Sequence, residues 1–221
     1  MSRVIAIDGP AASGKSSTAA AVAKALGALH LDSGALYRGL TRVALDAATA
    51  DPDHLLAAAD RRQLVLRLEG AEIAPSLDGA PAEPLIRTPE VTAGVSDIAA
   101  IGRCRDWVNI RLRAAAAGNR VLILDGRDIG TAVFPDARLK VFLTASPESR
   151  ARRRLAQRGE VFDAQSLARE TEALAVRDAL DAGRAIAPLR QADDAVVLDT
   201  SDLSFRAQVD IIVGLAAKAL S

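Results

Sequence analysis

The sequence predicts an α/β fold in which a mostly parallel sheet carries a small antiparallel insertion. Two observations lead to this prediction. Short apolar runs alternate with alanine-rich helical stretches at both ends of the chain, and residues 50–95 interrupt that rhythm with prolines and a hairpin signal. Strand, turn, helix, strand is the pattern of a βαβ unit, and such units build a parallel sheet. The 221 residues suffice for one domain of this kind with insertions.

The first βαβ unit occupies the start of the chain. Residues 3–8 form a short apolar run typical of a buried strand, and the alanine-rich residues 16–26 predict a helix that ends at Gly27. A second short strand, residues 28–32, leads into another helix over about residues 36–48.

The insertion follows this unit and has a different character. Residues 65–68 and 73–77 are strand-like, and the dipeptide Asp78-Gly79 is a hairpin signal between flanking pieces. Several prolines punctuate the segment, among them Pro75, Pro81, Pro84 and Pro89. We therefore expect a small antiparallel insertion on the parallel core.

The core resumes after the insertion. Its predicted elements are a helix over about residues 98–117, strands at 121–125, 139–143 and 195–199, and a closing helix at 204–220. The closing helix is amphipathic, with Phe205, Val209, Ile212 and Ala216 on one face. Residues 150–184 are highly charged and helical, with a break near Gly159.

The composition excludes several classes of protein. Lys+Arg and Asp+Glu both number 28, so the chain lacks the charge of a general nucleic-acid or membrane-surface binder. One cysteine, Cys104, excludes an internal disulfide framework and a multi-cysteine zinc site. No apolar run approaches the roughly 18 residues of a membrane span. We therefore expect a cytoplasmic protein with no nucleic-acid or membrane partner.

A phosphate-binding loop joins the first strand to the first helix. The residues from Gly9 to Ser16 satisfy the pattern G-x-x-x-x-G-K-[ST] after a strand and before a helix, the context that this motif requires. Gly9 and Gly14 permit the backbone angles that point N–H groups at phosphate oxygens. Lys15 supplies a mobile charge, and the Ser16 hydroxyl can ligate Mg²⁺. The predicted ATP-binding residues are Gly9, Pro10, Ala11, Ala12, Ser13, Gly14, Lys15, Ser16 and Ser17.

The rest of the sequence excludes several classes of protein that bind a nucleoside triphosphate through such a loop. GTPases usually carry an Asn-Lys-x-Asp base reader, and the only two asparagines, Asn109 and Asn119, lack that context. The Ser-Gly-Gly-Gln signature of transporter ATPases is absent, and motor and helicase modules are normally longer. A small kinase remains, and such an enzyme needs a second anion-binding pocket that faces the γ-phosphate.

Three clusters of arginine and aspartate supply a candidate for that pocket. Residues 32–38 and 125–128 each follow a predicted strand, at the sheet edge where open α/β sheets bind ligands. Arg177, Asp181 and Arg184 are spaced to share one helical face. Arginine forks suit phosphate in a bidentate manner. The clusters predict an acceptor pocket for a phosphorylated substrate.

The sequence resembles the bacterial cytidylate kinases, which are (d)CMP kinases of the nucleoside-monophosphate kinase group. The resemblance runs almost end to end through residues 8–10 with the phosphate loop, 32–38, 86–91, 125–131, 133–137, 177–178 with Asp181, and 187–189. It implies a P-loop kinase core at 1–41, 98–149 and 171–221, a CMP-binding insertion at 42–97, and a helical lid at 150–170. It also implies a monomer that transfers the γ-phosphoryl group of Mg·ATP to CMP or dCMP.

The resemblance further implies roles for individual residues. Arg38, Arg127 and Arg184 would hold the CMP phosphate; Ser96, Arg105 and Asp128 would read the cytosine edge; Arg177 and Asp181 would reach the sugar; and Ser33 would line the substrate pocket. Lys15, Arg127 and Arg184 would neutralise the charge that moves from donor to acceptor. They are the expected catalytic residues, and Ser16 is the expected metal ligand.

Two alternatives stay open at this point. One is another small-molecule P-loop kinase, of the shikimate or gluconate type, and the other is a non-catalytic ATP-sensing module. His30 and His54 show no carboxylate partner in the sequence pattern, so we interpret both as structural. The arginine-rich run at 150–158 indicates either a solvated helix face or a lid element that closes on ATP phosphates.

Overall fold

A computed structural model describes residues 3–160 and 163–221. The predicted core residues Met1 and Ser2 and the predicted lid residues Val161 and Phe162 lie outside the described residues. Within those ranges the strands are β1 (Val4–Asp8), β2 (Leu29–Asp32), β3 (Val65–Glu69), β4 (Glu72–Leu77), β5 (Ala80–Pro81), β6 (Leu122–Gly126), β7 (Leu139–Thr144) and β8 (Val196–Asp199).

The helices surround this sheet. They are α1 (Lys15–Leu26), α2 (Ser33–Asp46), α3 (Pro52–Arg61), α4 (Glu83–Ile86), α5 (Pro89–Ala100), α6 (Gly102–Ala115), α7 (Pro147–Gln157), α8 (Ala164–Ala182) and α9 (Phe205–Leu220), with a π-helical turn at Ile129–Val133. None of the helices in the two described ranges is long and apolar enough to cross a membrane.

The strand order confirms the predicted α/β fold. It is β3-β4-β2-β6-β1-β7-β8, with β5 paired to β4. Five neighbouring strands, β2, β6, β1, β7 and β8, run parallel to one another. By contrast, β3 and β5 pair antiparallel with β4. β4 itself pairs parallel with β2, so the antiparallel hairpin of the insertion extends the sheet of the core.

The central strand shows why the sheet is covered on both faces. Val4 and Ala6 of β1 enter one apolar cluster with α2 and α6, while Ile5 and Ile7 enter a second with α1 and α9. Successive side chains of a strand point to opposite faces, and a parallel sheet buries both. Polar groups that need access to ligands therefore collect at the carboxyl ends of the strands.

Two local predictions differ from the structure. α2 begins at Ser33, earlier than predicted, because the Asp32 side chain accepts the Gly34 N–H at 2.8 Å and caps the helix. The single helix predicted over 98–117 is wrong: α5 and α6 meet at Ile101, which is extended at φ −77° and ψ 115°. The predicted boundary between residues 97 and 98 thus falls inside α5.

The predicted inner face of α9 needs one correction. Phe205 is 52% exposed, because it is the first residue of the helix and Ser204 caps the helix at the surface. Ile212 and Ala216 are buried as predicted, and Val209 packs against the same cluster. Gln208 is buried with them, and its amide donates a hydrogen bond to Thr18 Oγ at 2.8 Å.

Candidate active site

The phosphate loop connects β1 to α1 with backbone that favours glycine. Gly9 has φ 151° and Gly14 has φ 92°, and Ala12 between them also has a positive φ of 57°. A Cβ atom on Gly9 would lie 2.0 Å from the Leu143 carbonyl oxygen, so no larger residue fits there. The loop therefore passes close to β7 and places the amino end of α1 at the edge of the sheet.

Lys15 is buried inside this loop, with 5% of its surface exposed. Its Nζ donates to the Pro10 carbonyl at 2.6 Å and lies 3.4 Å from Ser13 Oγ. Burial, and after it the charge of Arg127, lower the pKa of Lys15 to about 7. An anion in the loop would favour the charged ammonium, as the predicted role of Lys15 requires.

Ser16 opens α1 and touches a buried carboxylate. Its hydroxyl donates to Asp125 Oδ2 at 2.6 Å, and Asp125 Oδ1 lies 2.9 Å from His30 Nε2. Burial and the nearby charge of Asp32 raise the pKa of Asp125. Burial opposes protonation of His30, but the hydrogen bond and charge of Asp125 raise the pKa of His30 above its ordinary value.

The interpretation that both histidines lack a carboxylate partner is therefore wrong. His30 meets Asp125 because β2 and β6 are neighbours in the sheet, although the two residues are 95 positions apart in the chain. His54 Nδ1 lies 3.0 Å from Asp51 Oδ1 at the surface, at the start of α3.

Asp181 gathers three of the predicted substrate residues. Its Oδ2 accepts from Arg127 Nε at 2.9 Å, its Oδ1 pairs with Arg184 Nη2 at 2.9 Å, and Ser96 Oγ lies 3.4 Å from Oδ1. The prediction that Arg184 shares a helical face with Asp181 is wrong. α8 ends at Ala182 with Gly183 as its cap, so Arg184 lies beyond the helix. Its guanidinium still reaches back to Asp181, with Nε 3.2 Å from the carbonyl oxygen.

Arg105 and Asp128 form a second buried pair. Arg105 Nη2 pairs with Asp128 Oδ2, and Arg105 Nη1 donates to the Ala99 carbonyl at 3.0 Å. The guanidinium also lies over the ring of Tyr37, 5.5 Å from its centroid. The structure thus brings together the two predicted readers of the cytosine edge and holds both in fixed positions.

Arg38 and Arg177 complete the positively charged pocket. Arg38 is buried and donates to Thr92 Oγ at 2.8 Å. Burial lowers the pKa of Arg38 to about 10, and the charges of Arg177 and Arg87 contribute. The pKa of Arg177 also falls to about 10, through burial and then the charge of Arg127. Such mutual repulsion between guanidinium groups is relieved by an anion placed among them.

Ser33 lies beside the pocket, but its hydroxyl is engaged elsewhere. It donates to the Asp125 carbonyl at 2.8 Å and is buried at the start of α2. A Cβ on Gly126 would come within 2.5 Å of this hydroxyl, so the turn after β6 packs tightly on Ser33. The structure therefore shows a structural contact for Ser33.

Sequence reasoning gave no role to Asp8, which supports the site. Asp8 Oδ1 and Oδ2 accept the N–H groups of Ile129 and Gly130 at 2.9 and 2.7 Å, which ties the end of β1 to the loop after β6. Burial raises the pKa of Asp8 to about 6. Its signals in the sequence are a carboxylate at the end of an apolar run and its place in residues 8–10, which carry part of the family resemblance.

The arginine-rich run has one side that faces solvent and one side that faces the phosphate loop. Arg152 faces solvent and pairs with Glu148 on α7, which is a solvated helix face. Arg150 is buried and donates to the Ala11 carbonyl at 3.1 Å, and Arg153 donates to the Ser13 carbonyl at 3.1 Å. The inner side of α7 therefore contacts the phosphate loop itself.

A phosphate loop at the edge of a parallel sheet, with a cluster of arginines and aspartates beside it, is the arrangement of a P-loop kinase. The family model described as cytidylate kinase matches residues 5–218. The chain belongs to the cytidylate kinase family, and its activity is the phosphorylation of CMP or dCMP. That membership sets aside the shikimate- and gluconate-type kinases and the ATP-sensing module.

Known proteins give the extent of the similarity. Cytidylate kinase of Streptomyces griseus is 43% identical over 215 residues, which cover 96% of this chain and 91% of that protein. Cytidylate kinase of Geobacillus sp. strain WCH70 is 42% identical over 95% of this chain and 94% of its own. An uncharacterized protein from Eubacterium ventriosum, of known crystal structure, superposes with a TM-score of 0.52 at 11% identity, over 97% of this chain and 98% of its own. That last similarity concerns the fold alone.

Proposed function

We propose that the phosphate loop binds the phosphates of ATP and that the arginine pocket binds the phosphate of CMP or dCMP, so that the γ-phosphoryl group passes directly between them. One observation carries this proposal. The charge of Arg127 acts on Lys15 in the loop, while Arg127 Nε is hydrogen-bonded to Asp181 in the pocket. A single guanidinium thus borders both the donor and the acceptor side.

The arrangement suits phosphoryl transfer, which needs positioning and charge neutralisation more than acid–base chemistry. The bond between the γ-phosphorus and the bridging oxygen of ATP breaks, and a bond to a phosphate oxygen of CMP forms, leaving ADP and CDP. Lys15, Arg127 and Arg184 neutralise the charge on the transferred group. No covalent phosphoenzyme is part of the proposal.

The residues at the loop fit a magnesium ion. The Ser16 hydroxyl and the Asp125 carboxylate offer oxygen ligands 2.6 Å apart, and burial of Asp125 favours a nearby cation. No group of three or more His, Cys, Asp or Glu side chains suited to a metal occurs within 3–160 and 163–221. Mg²⁺ commonly completes its shell with water and substrate phosphates, and when bound it stabilises negative charge on those phosphates.

The buried pair of Arg105 and Asp128, beside Tyr37, suits a cytosine ring. Cytosine presents an amino donor next to ring nitrogen and carbonyl acceptors, and Asp128 offers an acceptor next to the Arg105 donors. Ser96 extends this edge, while Arg177 and Asp181 would contact the sugar. A base with a carbonyl in place of the amino group would set two acceptors against each other.

The proposed boundaries of the insertion and the lid agree with the separation of donor and acceptor sides. The insertion at 42–97 carries Thr92 and Ser96 on the acceptor side, and the lid at 150–170 begins with the α7 arginines that contact the loop. We also propose a monomer, as the resemblance to the bacterial cytidylate kinases implies. The need for ATP as the donor supports a cytoplasmic enzyme.

The direct test measures ADP release from Mg·ATP with CMP, dCMP, UMP, AMP and shikimate offered separately. We expect turnover with CMP and dCMP and little with the other acceptors. Efficient turnover with UMP or AMP would contradict the assignment of Asp128 and Arg105 as cytosine readers. ATP binding without any acceptor-dependent ADP release would contradict the proposed transfer.

A further inference from the structure

The backbone of one loop residue is held from two later helices. The Ala11 N–H donates to Asp178 Oδ1 of α8 at 2.9 Å, and the Ala11 carbonyl accepts from Arg150 Nη1 of α7 at 3.1 Å. These partners lie 167 and 139 residues further along the chain. Arg150 and Asp178 also pair with each other, so three groups form a closed set that we call the Ala11 clamp.

An apolar layer shields this clamp from water. Ala11 packs with Ala151 of α7 and Leu174 of α8 in a small buried cluster, and Ala12 and Leu167 lie against it. The side chain of Arg150 is 9% exposed and that of Asp178 is 19% exposed. Hydrogen bonds between charged groups are stronger in such surroundings than at an open surface.

The clamp also determines where the next amide points. In a trans peptide unit the carbonyl and the following N–H lie on opposite sides of the bond, and the described chain has no cis peptide bond. Because the Ala11 carbonyl faces Arg150, the Ala12 N–H faces away from α7. Ala12 has φ 57°, a conformation that an alanine adopts rarely without such constraints.

We propose that Asp178 and Arg150 are positioning residues that orient the backbone at Ala11 and Ala12 for the phosphates of ATP, without touching the nucleotide. The proposal rests on the proposed function, which places ATP on this loop. Phosphate-binding loops work through backbone N–H groups aimed at one point, so a rotated peptide removes one donor and misplaces its neighbours. The two residues therefore act on the donor side of the reaction.

The test compares the binding of Mg·AMP-PNP, a non-hydrolysable ATP analogue, with the binding of CMP by titration calorimetry. In Asp178→Ala and Arg150→Gln we expect the Kd for Mg·AMP-PNP to rise at least about tenfold, since bonds to a charged group are lost. The Kd for CMP should stay within about twofold. KM for ATP should rise in the same proportion, with KM for CMP unchanged.

Matched controls come from the same helices. Arg152→Ala removes a solvent-facing arginine of α7 whose partner is Glu148, and Glu172→Ala removes an exposed carboxylate of α8. Neither should change either Kd. Asp178→Asn keeps an oxygen for the Ala11 N–H but loses the ion pair, so its Kd for Mg·AMP-PNP should fall between those of the wild type and Asp178→Ala. It also serves if Asp178→Ala does not fold.

Two results would overturn the proposal. One is an unchanged Kd for Mg·AMP-PNP in folded clamp variants, and the other is an equal loss of ATP and CMP affinity, which marks a purely structural role. Lys15→Met separates this failure from that of the proposed function. If Lys15→Met weakens binding and the clamp variants do not, only the clamp is wrong. If neither weakens binding, ATP does not occupy this loop and both proposals fail.

Discussion

Lys15 is buried, and its pKa is lowered, so its protonation would respond to an anion bound in the loop. Its ammonium has only the Pro10 carbonyl and the Ser13 hydroxyl as hydrogen-bond partners in the described structure, and burial and Arg127 hold its pKa near 7. The ordinary pKa of lysine is 10.5. Between these values the unfolded chain binds the extra proton, so this residue's contribution to stability rises with pH over that window.

We predict that ATP binding at pH 8 takes up close to one proton through Lys15. The free enzyme then holds Lys15 mostly neutral, and the phosphates restore the charged form. The measurement is calorimetric titration with ATP in buffers of different ionisation enthalpy. Lys15→Arg is the control, because arginine stays protonated and should show no such uptake. Equal uptake in both proteins would contradict the lowered pKa.

The sequence predicts the residues of the site better than their partners. The phosphate loop is contiguous, so its spacing alone identifies Lys15 and Ser16. The contact of Asp178 with Ala11 and that of His30 with Asp125 join residues 167 and 95 positions apart. Such pairings depend on the order of the strands in the sheet and on where the helices pack. A local sequence pattern predicts neither of these.

The elements show the same division between local and long-range information. α1 ends at Gly27 as predicted, because a left-handed cap is a local requirement that glycine meets. The pairing of β4 with β2 could not be predicted from the hairpin signal, since that signal describes only the antiparallel neighbours. The break at Ile101 is marked in the sequence by Gly102 alone, and the helical pattern of the flanking residues continues across it, so the sequence predicts one helix there.

We predict that Gly214→Ala stabilises the protein by roughly 0.5–1 kcal/mol, because glycine in a helix interior costs about that much relative to alanine. Gly214 lies within α9, and apart from its chain neighbours and the backbone of its own helix no atom lies within 4 Å of a Cβ built on it. The measurement is denaturant unfolding followed by circular dichroism. Gly27→Ala is the matched control and should destabilise, since Gly27 has φ 61°. A destabilised Gly214→Ala would contradict this account of α9.

At the scale of the whole molecule, the order and direction of the strands explain why motifs far apart in the sequence lie close together in space. β1 and β2 flank β6, with Asp8 opposite Gly126 and Asp32 opposite Asp125 at the ends of the strands. Parallel strands bring their carboxyl ends to one edge, so three separate segments deliver carboxylates and loops to the same place. α8 then passes over this edge, and its end carries Asp181 to Arg127 and Arg184.

The central claim is that donor and acceptor phosphates occupy one continuous site. The most direct measurement is the Kd of P1-cytidine-P5-adenosine pentaphosphate, which joins both nucleotides through one phosphate chain. The account predicts binding at least about a hundredfold tighter than that of CMP or ATP alone, because one linked molecule fills both halves. It also predicts competition with each substrate. A Kd no lower than that of ATP, or competition with ATP only, would contradict a shared site.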